Sequence, residues 1–282
     1  MLNESQQRAL QQVEMGHNIY IGGQAGVGKS YLVKSIINAA RSKGKKVALT
    51  CTTGIACSVY DKLSSYNVIK YLQSMGAMTI HKWSGLGGGR FSGGKLKMLL
   101  QHDEAYVAAK ENFLGTDWLI VDEISMFSAQ MLDKLDVVCS IRSDKAPFGG
   151  IQVIFVWDFT QLPPVRHLRY GDVGSFCFES KRWPQHSIFL TENMRQKESK
   201  LCKVVNALSL GRLDDEILNY MSCLSRPLHE TPETIKLFSN NVLVDMFNRD
   251  KILNHKGGLF CFDAVDEGSK GELDKLHQDS CG

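Results

Sequence analysis

Gly23-Gln24-Ala25-Gly26-Val27-Gly28-Lys29-Ser30 is the stretch on which the fold turns. It fits G-x-x-x-x-G-K-[ST], and its flanks supply the setting that this pattern needs. Residues 18–22 (NIYIG) read as a short buried strand, and 29–42 carry Leu32, Val33, Ile36, Ile37 and Ala40 on one helical stripe. Strand, glycine-rich turn and helix in that order make a phosphate cradle. The glycines let the backbone wrap closely around phosphate oxygens, and the free N–H groups of the helix start add favourable charge. Lys29 is placed to reach β- and γ-phosphates, and the Ser30 hydroxyl to sit on Mg²⁺.

Working outward, 46–50 (KVALT), 118–122 (WLIVD) and 151–156 (IQVIFV) read as strands and 128–142 as a helix. Strands alternating with helices predict an α/β fold with a parallel sheet covered on both faces. The strand at 118–122 runs into Asp122-Glu123, delivering two carboxylates to the sheet edge beside the phosphate loop. Asp122 is the expected Mg²⁺ partner and Glu123 the base that orients an attacking water. The strand at 151–156 leads into Trp157-Asp158-Phe159-Thr160-Gln161-Leu162-Pro163-Pro164. Gln161 is either a sensor of the γ-phosphate or one residue of a proline-stiffened loop, and its local sequence does not choose.

The bulk numbers set bounds. A chain of 282 residues suggests about two domains. Its 43% hydrophobic content is that of a protein with a real core. A net charge of +3 permits nucleic-acid binding without arguing for it. The eight cysteines are scattered singly with no CxxC pair, which reads as reduced thiols, several of them in the core. No apolar run is long enough to span a membrane, and the polar start MLNESQQRAL has neither signal-peptide nor transit-peptide character. The chain is therefore read as intracellular, with the nucleus as the favoured compartment. Glycines at 85–89 and 93–94 flank a basic segment, Arg90 to Lys97, read either as a surface loop or as a loop near a nucleic-acid groove. After residue 190 helices are expected over roughly 196–222, a strand over 234–239 and a helix around 242–254, before a polar tail.

Several blocks, in order, resemble the Pif-type (petite integration frequency) helicases, which are ATP-dependent 5′-to-3′ DNA helicases of superfamily one. Leu2 to Gln6 resembles the adenine-reading glutamine motif and points to Gln6. Gly23 to Ser30 is the phosphate loop. Thr50 to Ala56 and Thr79-Ile80-His81 resemble early single-strand-binding blocks. Asp122 to Met126 matches the Mg²⁺ and base motif, and Asp136 to Gly150 a stretch particular to this family. Gln161 to Pro164 matches the motif that couples ATP to DNA, and Leu190 to Gln196 the one that supplies an arginine, here Arg195.

The resemblance implies a RecA-like ATP-binding lobe with DNA-binding motifs at 1–189. It implies the start of a second RecA-like lobe at 190–282, incomplete because nothing resembles that lobe's late blocks. It implies ATP and Mg²⁺ as cofactors, single-stranded and forked DNA as partners, and a monomer. Lys29, Glu123, Gln161 and Arg195 would be catalytic, Arg195 stabilising charge on the transferred phosphate. Gln6 and 23–30, including Gln24, Ala25, Val27 and Ser30, would hold the nucleotide. Thr52, Thr53 and His81 are DNA-contact candidates by motif, and Lys82 and Phe159 by chemistry and neighbourhood; Trp83 is equally a stacking or a core residue. Trp157 departs from the pattern by standing where the family usually has glycine. The resemblance implies translocation and unwinding in repair, recombination or telomere maintenance. The alternative expectation is a shortened ATP- and DNA-binding module that does not unwind.

Overall fold

The computed structural model describes residues 2–63, 77–192, 200–227, 234–255, 257, 258 and 260. It divides into two compact units, Met1–Leu224 and Ser225–Gly282. In the first, the sheet contains β1 (Ile19–Gly22), β2 (Val47–Cys51), β3 (Met78–Thr79), β4 (Trp118–Asp122), β5 (Gln152–Trp157) and β6 (His186–Phe189). Their order is β3-β2-β4-β5-β1-β6, and every neighbouring pair is parallel. Parallel neighbours need crossovers, and the helices that make them cover both faces.

That double cover explains why the central strands are apolar throughout rather than alternating. On one face Leu119, Val121, Val153 and Phe155 pack with α4 (Ile80–Ser84), α5 (Gly93–His102), α6 (Val107–Gly115) and α7 (Ala129–Cys139). On the other, Trp118, Ile120, Ile154 and Val156 pack with α1 (Glu4–Glu14), α2 (Lys29–Ser42) and α3 (Gly54–Leu63). The stripe expected on α2 is the buried one, with Leu32, Val33, Ile36 and Ala40 fully covered. Cys51, Cys57, Cys139 and Cys177 are buried, and burial pushes the Cys177 thiol up to about 12. Two further helices, α8 (Lys200–Ser209) and α9 (Asp215–Leu224), complete the unit.

Two sequence expectations are corrected and one open reading, at Trp83, is decided. Gly93 and Gly94 do not lie in a loop: Ser92 accepts a hydrogen bond from the Lys95 N–H and caps α5, so these glycines open a helix. Trp83 is a core residue, 1% exposed and edge-on to Phe113 at 4.9 Å, so it is not available for stacking. In the second unit, the strand expected at 234–239 is irregular. Ile235 and Leu237 lie 85% and 93% exposed, and among the described residues of this unit no strand pairs with them. The helix expected nearby is present as α10 (Asn241–Leu253), capped by the Asn240 side chain.

Residues 136–150 turn sharply from α7 toward β5. The Asp136 carboxylate accepts the Phe148 N–H at 2.7 Å and pairs with Arg182 at 2.9 Å. Phe148 and Gly149 both take left-handed backbone, at φ 52° and 63°. A Cβ on Gly149 would overlap the Cys139 carbonyl oxygen. Gly149→Ala therefore combines a steric clash with a disfavoured φ, and it is expected to destabilise the first unit by at least about 2 kcal/mol. Urea unfolding checks this; an unchanged midpoint would show that the turn relaxes freely.

Candidate nucleotide and nucleic-acid site

The sheet order brings the carboxyl ends of β1, β4 and β5 side by side, and the candidate site is built on those ends. After β1 the chain passes through Gly23, Gly26 and Gly28, all at positive φ, before α2 begins at Lys29. The left-handed Gly28 aims the first N–H groups of α2 into the turn. Lys29 folds back over the loop: its ammonium donates to the carbonyls of Gly23 at 2.5 Å and Gln24 at 2.9 Å. It is only 9% exposed, and burial lowers its pKa against the opposing pull of Asp158 and Asp122. Gln6 approaches from behind. Its fully buried amide caps α1 through the Asn3 N–H and donates to the Val27 carbonyl at 3.3 Å.

A cavity of about 370 Å³ opens in front of the loop, walled by Gly26, Gly28, Lys29, Ser30, Trp157 and Gln161. Gln161 thus faces the phosphate loop from the exit of β5. Its neighbour Asp158 is buried, with a carboxylate that accepts from both the N–H and the hydroxyl of Thr160.

Asp122 is 6% exposed, and burial raises its pKa above the usual carboxylate range. It accepts from the Tyr60 hydroxyl at 2.5 Å and from the Glu123 N–H at 2.9 Å. The phenol of Tyr60 thus holds one of the two residues expected to bind a metal. A carboxylate and a hydroxyl here suit Mg²⁺, which takes oxygen ligands, keeps several waters and needs only one or two carboxylates beside substrate phosphates. Among the described residues there is no group of three His, Cys, Asp or Glu side chains that could hold a metal without a nucleotide.

Glu123 sits in left-handed backbone at φ 59°, which turns its carboxylate out of the strand line. That carboxylate accepts from the Thr53 hydroxyl at 2.6 Å, and the Glu123 carbonyl accepts from the Thr52 hydroxyl at 2.8 Å. The block expected to touch DNA is therefore wired to the block expected to cleave the phosphate. His81 and Thr52 share a smaller cavity with His167 and Asp172. Burial, with His167 nearby, lowers the His81 pKa. Lys82 is exposed beside it. Phe159 instead packs in an aromatic cluster with Tyr20, Phe178 and Trp183, at ring separations of 4.9–5.6 Å. Arg195 lies outside the described residues.

The sequence reading missed Tyr60 and the buried Asp158 beside Lys29. No local pattern marks either one: Tyr60 meets Asp122, and Asp158 comes near Lys29, only through the fold.

The comparisons with known proteins agree with this arrangement. Residues 1–64 and 77–216 match the family model described as PIF1-like helicase. The chain is 35% identical over 277 residues to the ATP-dependent DNA helicase PIF1 of Saccharomyces cerevisiae, covering 95% of this chain and 30% of that protein. It is likewise 35% identical over 257 residues to the ATP-dependent DNA helicase RRM3 of the same species, covering 88% and 33%. It thus spans about a third of the length of these relatives. The crystal structure of Pif1 helicase from Candida albicans superposes with a TM-score of 0.78 at 31% identity, covering 98% of this chain and 61% of that one. A family model that matches most of the chain, with relatives 35% identical over 88–95% of it, shows that the chain belongs to the PIF1-like helicase family.

Proposed function

We propose that the chain binds and hydrolyses ATP as part of a 5′-to-3′ DNA helicase, turning hydrolysis into movement along single-stranded DNA and duplex unwinding. The observation that carries this reading is the pair of hydrogen bonds from Thr52 and Thr53 to Glu123. A hydroxyl has one proton to donate. A DNA phosphate arriving at Thr53 would accept that hydrogen bond in place of the Glu123 carboxylate and leave the base free to orient water. DNA contact and phosphate cleavage would then be linked through two adjacent side chains.

In this reading Lys29 neutralises the β- and γ-phosphates, Ser30 and Asp122 hold Mg²⁺, and Gln161 and Arg195 respond to the γ-phosphate. Mg²⁺ would supply charge neutralisation on the phosphate oxygens. Gln6 and the loop 23–30 hold the nucleotide. Thr52, Thr53, His81, Lys82 and Phe159 are the DNA-contact candidates. The lobe assignment, 1–189 for ATP and 190–282 for the start of a second lobe, belongs to the same proposal, as do a monomeric state and a role in the nucleus in repair, recombination or telomere maintenance. Related Pif1 helicases from Bacteroides have been crystallised with single-stranded DNA, and with ADP-AlF3 and single-stranded DNA, which supports both ligand classes.

The test is ATP turnover with and without single-stranded DNA, together with strand separation on a tailed duplex. Stimulated turnover with unwinding is the expected result. Nucleotide binding without stimulated turnover would instead support an ATP- and DNA-binding module.

A further inference from the structure

Trp157 is the last residue of β5 and pairs in register with Gly22, immediately before the phosphate loop. Its carbonyl accepts the Tyr20 hydroxyl at 3.0 Å, which fixes the strand end. Its side chain walls the phosphate cavity, and the Lys29 ammonium lies 5.5 Å from the ring centroid. A lysine ammonium has three protons. Two go to the Gly23 and Gln24 carbonyls, and the indole face lies within cation–π range of the same nitrogen. The cation on which phosphate binding would depend is therefore shared between two carbonyls and the indole face.

We infer that Trp157 is a nucleotide-site residue: its indole holds the Lys29 ammonium beside the phosphate loop, and a nucleotide's phosphates must compete with the ring for that ammonium. This deepens the proposed function and rests on its nucleotide site. In this chain the ring should lower nucleotide affinity and report occupancy through its own emission. Trp157 acts here as a positioning residue, through Lys29.

The chain has four tryptophans. Trp83 and Trp118 are buried at 1% and 4% exposure, and Trp183 packs in the aromatic cluster around Tyr20. Two substitutions separate the roles of the ring. Trp157→Leu keeps apolar bulk and removes the π face; Trp157→Phe keeps a π face and removes the indole emission. Binding of a fluorescent ATP analogue with Mg²⁺, and quenching of intrinsic emission by Mg·ATP, are measured on the whole chain.

Trp157→Leu is expected to bind the analogue about two- to fivefold more tightly than the unaltered chain, the loss of an exposed to half-buried cation–π contact. Trp157→Phe is expected to bind within twofold of the unaltered chain while losing most of the ATP-induced emission change. Equal or weaker binding by the leucine variant, or a full emission response in the phenylalanine variant, would overturn the inference. If the unaltered chain binds no better than Lys29→Ala, the nucleotide site itself is wrong and this inference falls with it.

Discussion

Lys29→Ala is expected to lower ATP turnover on the order of 10²- to 10³-fold and to weaken nucleotide binding measurably. Lys29 is the only cation described in the wall of the cavity in front of the phosphate loop. It is 9% exposed, so its charge acts in a medium that screens it weakly. Alanine keeps the start of α2 helical and leaves the N–H groups of the loop in place. Those N–H groups can still hold phosphate, so binding should fall less than turnover. Steady-state hydrolysis and a nucleotide titration check both halves of this expectation. Turnover that survives the substitution would remove Lys29 from the reaction and, with it, the site assignment.

Glu123→Gln is expected to give the opposite split: nucleotide affinity close to that of the unaltered chain, and DNA-stimulated turnover lower by about 10²- to 10⁴-fold. The change is nearly isosteric. Glutamine accommodates the same φ of 59° at the same strain, and its amide oxygen can still accept from Thr53. What it cannot do is accept a proton from water. The neighbouring Asp122, with its link to Tyr60, is untouched, so the residues proposed to hold Mg²⁺ should be undisturbed. Single-turnover hydrolysis beside a nucleotide-binding titration distinguishes loss of chemistry from loss of binding. Brisk turnover in this variant would show that some other group orients the water.

Both predictions concern residues that could be read from the chain alone, and the reason is local. A strand, a glycine turn and a helix are adjacent in sequence, so 18–42 reveals its own geometry through period and spacing. The apolar runs at 118–122 and 151–156 do the same for β4 and β5, because a strand buried on both faces has no polar side to hide. Local pattern failed where a residue's role depends on what covers it. Trp83 reads equally as surface or core until Phe113 is seen against it. The apolar alternation at 234–239 reads as a strand until Ile235 and Leu237 are found uncovered.

The sequence by itself determined the chemistry available: a phosphate loop, a carboxylate pair, and the order of blocks that resembles the family. Only the tertiary structure decided how those groups are connected. The contacts that join them, Thr53 to Glu123, Tyr60 to Asp122 and Lys29 to Trp157, span 60 or more residues along the chain. A parallel sheet whose order differs from its sequence order places the carboxyl ends of distant strands within hydrogen-bonding reach, and no local period encodes that neighbourhood.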